Sequence, residues 1–287
     1  MRSRLAEAHG RVAGAHRIGI TGAPGTGKST LTDKLVGAYR QLGKRVAVMA
    51  VDPTSPFSGG SLLGDRVRMG SHTADPHVFI RSMSTGGQLG GLNTSTEPVL
   101  VLLDAEMYDP IILETVGVGQ SEVEVVASAD TVVVVVTPGF GDEVQAEKAG
   151  LMEVADIFVV NKADLPGAGK ASKTIEMMVS IGKERDWTPP ILTVSAETGD
   201  GVDPLVSALD SHRSYLEASG ELSRRRRRRA TREIAGVVER ALRRNLEYAV
   251  EEMADEVMSG ESDPWTAAAR LRMEILGEGD TDAHSDG

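Results

Sequence analysis

The sequence has no cysteine and only 3% aromatic residues in its 287 positions. Without a thiol there can be no disulfide framework, no thiolate nucleophile and no thiolate metal site. No stretch approaches the ~20 consecutive apolar residues of a membrane-spanning helix. The opening MRSRLAEAHGRVAGAHR lacks the apolar centre of a secretory signal, so cytoplasmic residence and no membrane partner are expected. Basic residues are outnumbered, 31 Lys and Arg against 42 Asp and Glu, for a net charge of −11. That balance argues against a general nucleic-acid binder while leaving room for a local basic patch. What is plentiful is aliphatic: hydrophobic residues reach 40%, and there are 32 glycines. The length and apolar content exclude wholesale disorder and suffice for one large α/β domain or for one domain plus an appendage.

Short β-branched runs alternate with longer helical patterns. Strands are expected at 17–21, 45–51, 78–82, 110–114, 131–137, 156–161 and 191–194, with helices such as 28–42, 96–107, 141–153, 169–184 and 202–218. TVVVVVT and IFVV are apolar on both faces, as in the buried strands of a parallel sheet. The alternation predicts a doubly wound, mostly parallel α/β sheet of the P-loop NTPase type with a helical C-terminal arm. After Gly220 the run SRRRRRRATRE opens a long helical pattern with Ile234, Val238, Leu242, Leu246, Val250, Met253 and Val257 at steps of three or four. A break at 260–264 precedes a short helix near 265–276. The expected organisation is a short N-terminal segment (1–15), a nucleotide domain (16–220), a helical arm suited to dimerisation (221–277) and a disordered acidic tail (278–287).

Directly after the first strand stands Gly22-Ala23-Pro24-Gly25-Thr26-Gly27-Lys28-Ser29-Thr30, a Gly-x-x-x-x-Gly-Lys-Ser loop in its required strand-to-helix context. Glycines let the backbone curl so that successive N–H groups aim at phosphate oxygens, and the helix N-terminus adds partial positive charge. Lys28 is expected to reach the β- and γ-phosphates and the Ser29 hydroxyl to ligate Mg²⁺. After the strand at 156–161 comes Asn161-Lys162-Ala163-Asp164. The Asp164 carboxylate can accept hydrogen bonds from N1–H and the exocyclic amine of guanine. Adenine offers no such donors there and would leave the carboxylate unpaired. Asn161 is expected to brace the loops and the Lys162 stem to cover one face of the base. Ser195-Ala196-Glu197 follows the next strand, where a second base-contacting loop belongs. Together the motifs favour GTP and GDP over adenine nucleotides.

Mg²⁺ prefers hard oxygen ligands, commonly one or two carboxylates. Glu114 ends an apolar strand and precedes Thr115-Val116-Gly117; Asp52 and Asp65 are the other candidates. Glycines at 59–60, 64, 86–87, 90–91, 117, 119, 139 and 141 gather near strand ends, where loops that reshape on loss of a γ-phosphate need permissive backbones. Val118 rather than Gln follows Gly117, so slow intrinsic hydrolysis is expected, with a partner reshaping the loops.

In this order, GAPGTGKST, AVDPTS, GGSLLGDR, ETVGVGQSE and NKAD resemble the MeaB/ArgK family, GTPase chaperones of adenosylcobalamin-dependent acyl-CoA mutases such as methylmalonyl-CoA mutase. The resemblance spans about residues 16–218. It implies that Lys28 stabilises phosphate charge and that Ser29, Asp52, Asp65 and Glu114 form the magnesium sphere. It further implies a mobile segment at about 137–148 that links nucleotide state to the mutase, and a GTPase that gates cofactor delivery and protects the enzyme. A nickel-delivery GTPase is the nearest alternative, but such proteins use Cys/His sites. The six histidines here are scattered at 9, 16, 72, 77, 212 and 284, only His72 and His77 sharing a loop. No kinase catalytic-loop pattern is present. The six arginines from Arg224 to Arg229 could hold RNA or an acidic surface in a salt-dependent way. No aromatic lies nearby to stack bases, so a solvated helix start, or pairing with acidic residues such as Glu251 and Glu252 of a partner subunit, is the favoured reading.

Overall fold

The computed structural model describes residues 2–52, 72, 74–84, 96–115, 120–139, 153–182 and 185–276. The elements run α1 (Arg2–His9), β1 (Arg17–Thr21), α2 (Lys28–Gln41), β2 (Val46–Asp52), β3 (Val78–Ser84), α3 (Thr96–Ala105), β4 (Ile111–Thr115), α4 (Gln120–Ser128), β5 (Thr131–Val136), β6 (Ile157–Val160), α5 (Ala168–Ile181), β7 (Ile191–Thr193), α6 (Val202–Ala218), α7 (Glu221–Ser259) and α8 (Pro264–Leu276). The seven strands form one sheet in the order β3-β2-β4-β1-β5-β6-β7. Every pairing is parallel, so the expected fold class holds. All seven strand expectations land within two residues of the observed spans. Two short helices, α1 and α4, were not expected. The helix anticipated at 141–153 lies, except for its last residue, outside the described residues.

The strands read as continuous apolar runs because both sheet faces are covered. On one face Ile18, Ile20, Val133 and Val159 pack with Leu31 and Leu35 of α2 and Leu205 and Leu209 of α6. On the other, Met49 and Leu113 meet Leu100 of α3, while Val134 and Val160 meet Ala171 and Ile175 of α5. Burying such side chains contributes roughly 1.5–3 kcal/mol each, and aliphatics suffice for it, which accounts for a large core with few aromatics. β1 lies between β4 and β5. Chain reversal on its two sides makes the C-terminal edge of β1 the topological switch point, where a doubly wound sheet opens a ligand crevice.

Two compact units divide at Ala230 and Thr231, inside α7. The first unit therefore includes the opening turns of a helix expected to belong wholly to the arm from 221. The physical reason is the arginine run. Arg225 grips Asp156 with Nη1–Oδ2 2.7 Å and Nη2–Oδ1 2.9 Å. Arg226 donates to the Gly14 and Ala15 carbonyls at 3.1 and 3.2 Å. Arg229 reaches buried Asp130 at 3.1 Å, and Arg224 pairs with Glu221 at 2.6 Å. For Arg225, Arg226 and Arg229 the expected solvated face or second-subunit partner is thus replaced by acceptors in the chain's own first unit, while Arg224 stays at a solvated helix start. In the second unit, Ile234, Val238, Leu242, Leu246 and Val250 are exposed. Asp263 caps α8 by accepting from Trp265 N and Thr266 N at 2.9 and 3.1 Å, and Arg270 pairs with Glu256.

Candidate nucleotide site

The loop from Gly22 to Gly27 leaves the end of β1 and enters α2 at Lys28. Gly22 has φ 143°, and a Cβ there would sit 2.1 Å from the Val135 carbonyl oxygen of the neighbouring strand. Only glycine fits that approach. Gly27 (φ 86°) stands where α2 begins, and its added Cβ would meet Asn161 Nδ2 at 2.5 Å. Thr26 closes the turn by donating from its hydroxyl to the Ala23 carbonyl at 2.8 Å, while Pro24 and Gly25 face outward. No side chain caps α2, which leaves its first-turn N–H groups for an anion. Thr30 lies on the exposed side of that turn. Lys28 curls into the loop and donates to the Gly22 and Ala23 carbonyls at 2.6 and 3.2 Å. Burial pushes its ammonium below the ordinary lysine range, and the facing carboxylates of Glu114 and Glu122 oppose that shift.

Ser29 donates a hydrogen bond to the buried carboxylate of Glu114. The pair matches magnesium's chemistry, a hydroxyl and a carboxylate oxygen converging beside the phosphate loop. Asp52 ends β2 two residues beyond Ala50, the register partner of Glu114; its side chain lies outside the described residues, as does Asp65. So do all the expected switch glycines except Gly139, together with Val118 and residues 140–148 of the expected mobile segment.

The loops expected to meet the base converge through one side chain. Asn161, 1% exposed at the end of β6, donates to the Thr26 carbonyl at 2.8 Å and accepts from Ala196 N at 3.0 Å. It thereby ties the phosphate loop to the loop after β7. Lys162 takes a left-handed φ of 57°, which turns the chain so that Ala163 N reaches the Val194 carbonyl at 3.1 Å. Ser195 donates from Oγ to Asp164 at 2.7 Å, holding an otherwise exposed carboxylate in a fixed orientation, and Glu197 is exposed. Glu122, whose charge acts on Lys28, was not anticipated. Its signal was the Gln-Ser-Glu closing the ETVGVGQSE motif, which lies at the start of an unrecognised helix.

Three of the described histidines have ring contacts elsewhere. His16 and His212 bond to Thr131 at 2.7 and 2.8 Å, and His72 lies 3.2 Å from the Asp33 carbonyl. Among the described residues no helix is long and apolar enough to cross a membrane.

Comparison with known proteins agrees with this geometry. A family model described as methylmalonyl Co-A mutase-associated GTPase MeaB matches residues 1–251. A Pyrococcus horikoshii protein whose name marks it as a candidate GTPase is 48% identical over 270 residues, covering 92% of this chain and 85% of its own. GTPase ArgK of Escherichia coli is 39% identical over 219 residues, 75% of this chain and 66% of its own. The mitochondrial methylmalonic aciduria type A homolog of Mus musculus is 37% identical over 215 residues, 73% of this chain and 52% of its own. Among solved structures, one titled LAO/AO transport system kinase superposes with TM-score 0.70 at 27% identity, covering 96% of this chain and 86% of its own. HypB from Helicobacter pylori in complex with nickel gives 0.52 at 17%, over 75% and 95%, a likeness of fold alone. With its phosphate loop, its paired Ser29 and Glu114 and its Asn161-braced base loops, the chain belongs to the MeaB family of methylmalonyl-CoA mutase-associated GTPases.

Proposed function

We infer that the chain binds GTP with Mg²⁺ across these strand-end loops, hydrolyses it slowly alone, and serves as a cytoplasmic chaperone of an adenosylcobalamin-dependent acyl-CoA mutase. The mutase is methylmalonyl-CoA mutase or a relative, and the nucleotide cycle gates cofactor loading and protects or reactivates the enzyme. The observation that carries this reading is the family match over residues 1–251 on a chain whose phosphate and base loops meet at Asn161.

Each residue's role follows from its place. The N–H groups of 22–30 cradle phosphate oxygens, and Lys28 leaves its own loop carbonyls for the β- and γ-phosphates. Ser29 and Glu114, with Asp52 and Asp65, would hold Mg²⁺, which supplies charge neutralisation at the phosphate oxygens. Water attacks the γ-phosphorus and the bond to the β,γ-bridging oxygen breaks, leaving GDP and phosphate. Asp164, held by Ser195, accepts from guanine; Lys162 covers the ring, and Ala196 and Glu197 border it. The exposed apolar row Ile234, Val238, Leu242, Leu246 and Val250 is suited to a homodimer seam. The RNA reading of the arginine run is weakened because Arg225, Arg226 and Arg229 are committed to Asp156 and Asp130.

Two measurements test this. Labelled GDP should be displaced by GTP and not by ATP; equal displacement by ATP defeats the base assignment. A purified cobalamin-dependent acyl-CoA mutase should bind the chain in a nucleotide-dependent way and raise its GTP hydrolysis. Failure of both across mutases of this class defeats the chaperone role.

A further inference from the structure

α4 has one end at the phosphate site and the other in an arginine clamp. It begins at Gln120, six residues after Glu114 of β4, and its first turn carries Glu122, whose charge acts on Lys28. Eight residues later it ends at Ser128, about 12 Å away at 1.5 Å rise per residue. The helix lies close on β1, since a Cβ at Gly19 would meet Val125 Cγ1 at 3.1 Å and Ala129 Cβ at 2.9 Å.

At the far end, Arg229 of α7 donates to the Ser128 carbonyl at 2.9 Å and to Asp130 Oδ1 at 3.1 Å. A guanidinium against the last carbonyls of a helix also complements its dipole. Arg226 takes Asp130 Oδ2 at 3.3 Å, Arg225 takes the Asp130 carbonyl at 2.7 Å, and Arg17 N donates to Asp130 Oδ2 at 3.1 Å. Asp130 is fully buried. Residues 128–130 are therefore held at once by α4, β1 and the root of α7.

We propose that this clamp couples nucleotide state to the root of α7, with Arg229 as the positioning residue that reads the place of α4. The proposal rests on the GTP-binding reading. An arriving γ-phosphate brings negative charge to Lys28 and so opposes Glu122, while Mg²⁺ draws Ser29 away from Glu114. The first event acts on Glu122 in the first turn of α4, and the second on Glu114 of β4, against which α4 packs. Because a packed helix shifts as a unit, the Ser128 carbonyl moves against Arg229, whose planar fork tolerates little change of angle. The clamp seen here, with Ser29 on Glu114 and Lys28 on its own loop, favours the position that α4 holds without a γ-phosphate. By linkage, loosening the clamp must favour the GTP state although Arg229 touches no nucleotide.

The test compares Arg229→Gln with Arg228→Gln, the same charge loss in the same run at a side chain 67% exposed. Affinities for GDP and a non-hydrolysable GTP analogue are measured by displacement of a fluorescent nucleotide, and amide exchange over 221–232 is followed with each. Arg229→Gln should raise analogue affinity relative to GDP by about 5-fold or more and erase a nucleotide-dependent difference in exchange at 221–232 that the unaltered chain shows. Arg228→Gln should leave both unchanged. If Arg229→Gln does not fold, Arg229→Lys, which keeps the charge and loses the fork, is read the same way. An unchanged or fallen ratio, an equal loss of both affinities, or identical exchange in both nucleotide states of the unaltered chain overturns the coupling. Absence of guanine-nucleotide binding by the unaltered chain would instead overturn the reading on which it rests.

Discussion

Acid should unfold this protein through two imidazoles. His16 immediately precedes β1, His212 lies on α6, and both bond to the Thr131 hydroxyl at 2.7 and 2.8 Å. Both rings are sealed, at 2% and 0% exposure, with Trp187 against His212 at a centroid distance of 4.7 Å. A single hydroxyl between two ring nitrogens can donate to one and accept from the other, and the ring that accepts must be neutral. Burial pushes each from its ordinary 6.5 down to about 4, although Asp130 beside His16 and Asp156 beside His212 act the other way. Between those values the unfolded chain binds more protons than the folded one. The stability they contribute is whole above pH 6.5 and is lost as the pH falls toward 4. At about pH 5 the loss is roughly 2 kcal/mol per ring, or about 4 kcal/mol for both, from 1.36 kcal/mol per pH unit. Asp109 and Asp130 are held below the ordinary carboxylate range despite burial, Asp109 by the His16 N–H and Arg213 and Asp130 by Arg229 and Arg226, so their losses begin at lower pH. Urea midpoints followed by circular dichroism at about pH 7.5 and 5 measure the total. His212→Gln removes one titration and should halve the acid-dependent loss, to about 2 kcal/mol, even if it is less stable at neutral pH. A loss as large in the variant as in the parent, or a stability flat across this range, refutes the reasoning.

Gly22→Ala should abolish nucleotide binding and lower the melting temperature, because a Cβ 2.1 Å from a sheet carbonyl cannot be housed without moving β1 from β5; calorimetry with and without GDP shows both effects. Asn161→Ala removes two buried hydrogen bonds and should cost about 2–4 kcal/mol, read as lowered stability together with weakened GDP binding. Asp164→Asn replaces a charged acceptor by an amide and should weaken GDP by at least about 10-fold, from the 1.5–3 kcal/mol of a charged hydrogen bond. Undiminished affinity in a displacement assay would move the base elsewhere.

Local signals placed all seven strands to within two residues and put the expected chemistry-bearing loops at their ends. The phosphate loop, the Asn-Lys-Ala-Asp turn and Ser195-Ala196-Glu197 are contiguous in sequence and tied to strand ends, so a parallel sheet brings them to one edge whatever its strand order. Glu114 was legible because an apolar strand ending in a carboxylate is conspicuous, whereas α4 was missed because its nine residues hold too few turns for a helical period to show. Asn161 was expected to brace the loops, but its partners, Thr26 and Ala196, came only with the fold.

By itself the sequence determined that this chain is an aliphatic α/β nucleotide fold whose glycines and carboxylates, not thiols or aromatics, carry its chemistry. Only the tertiary structure decided where the arginine run goes and why two histidines are neutral. Arg229 meets Asp130 across 99 residues, Arg225 meets Asp156 across 69, and His16 meets Thr131 across 115. Periodicity and motif spacing report what neighbours along the chain can do together. Pairings at such separations exist only once parallel strands bring the N-terminal ends of β1, β5 and β6 side by side, and no local pattern encodes which charge will be waiting there.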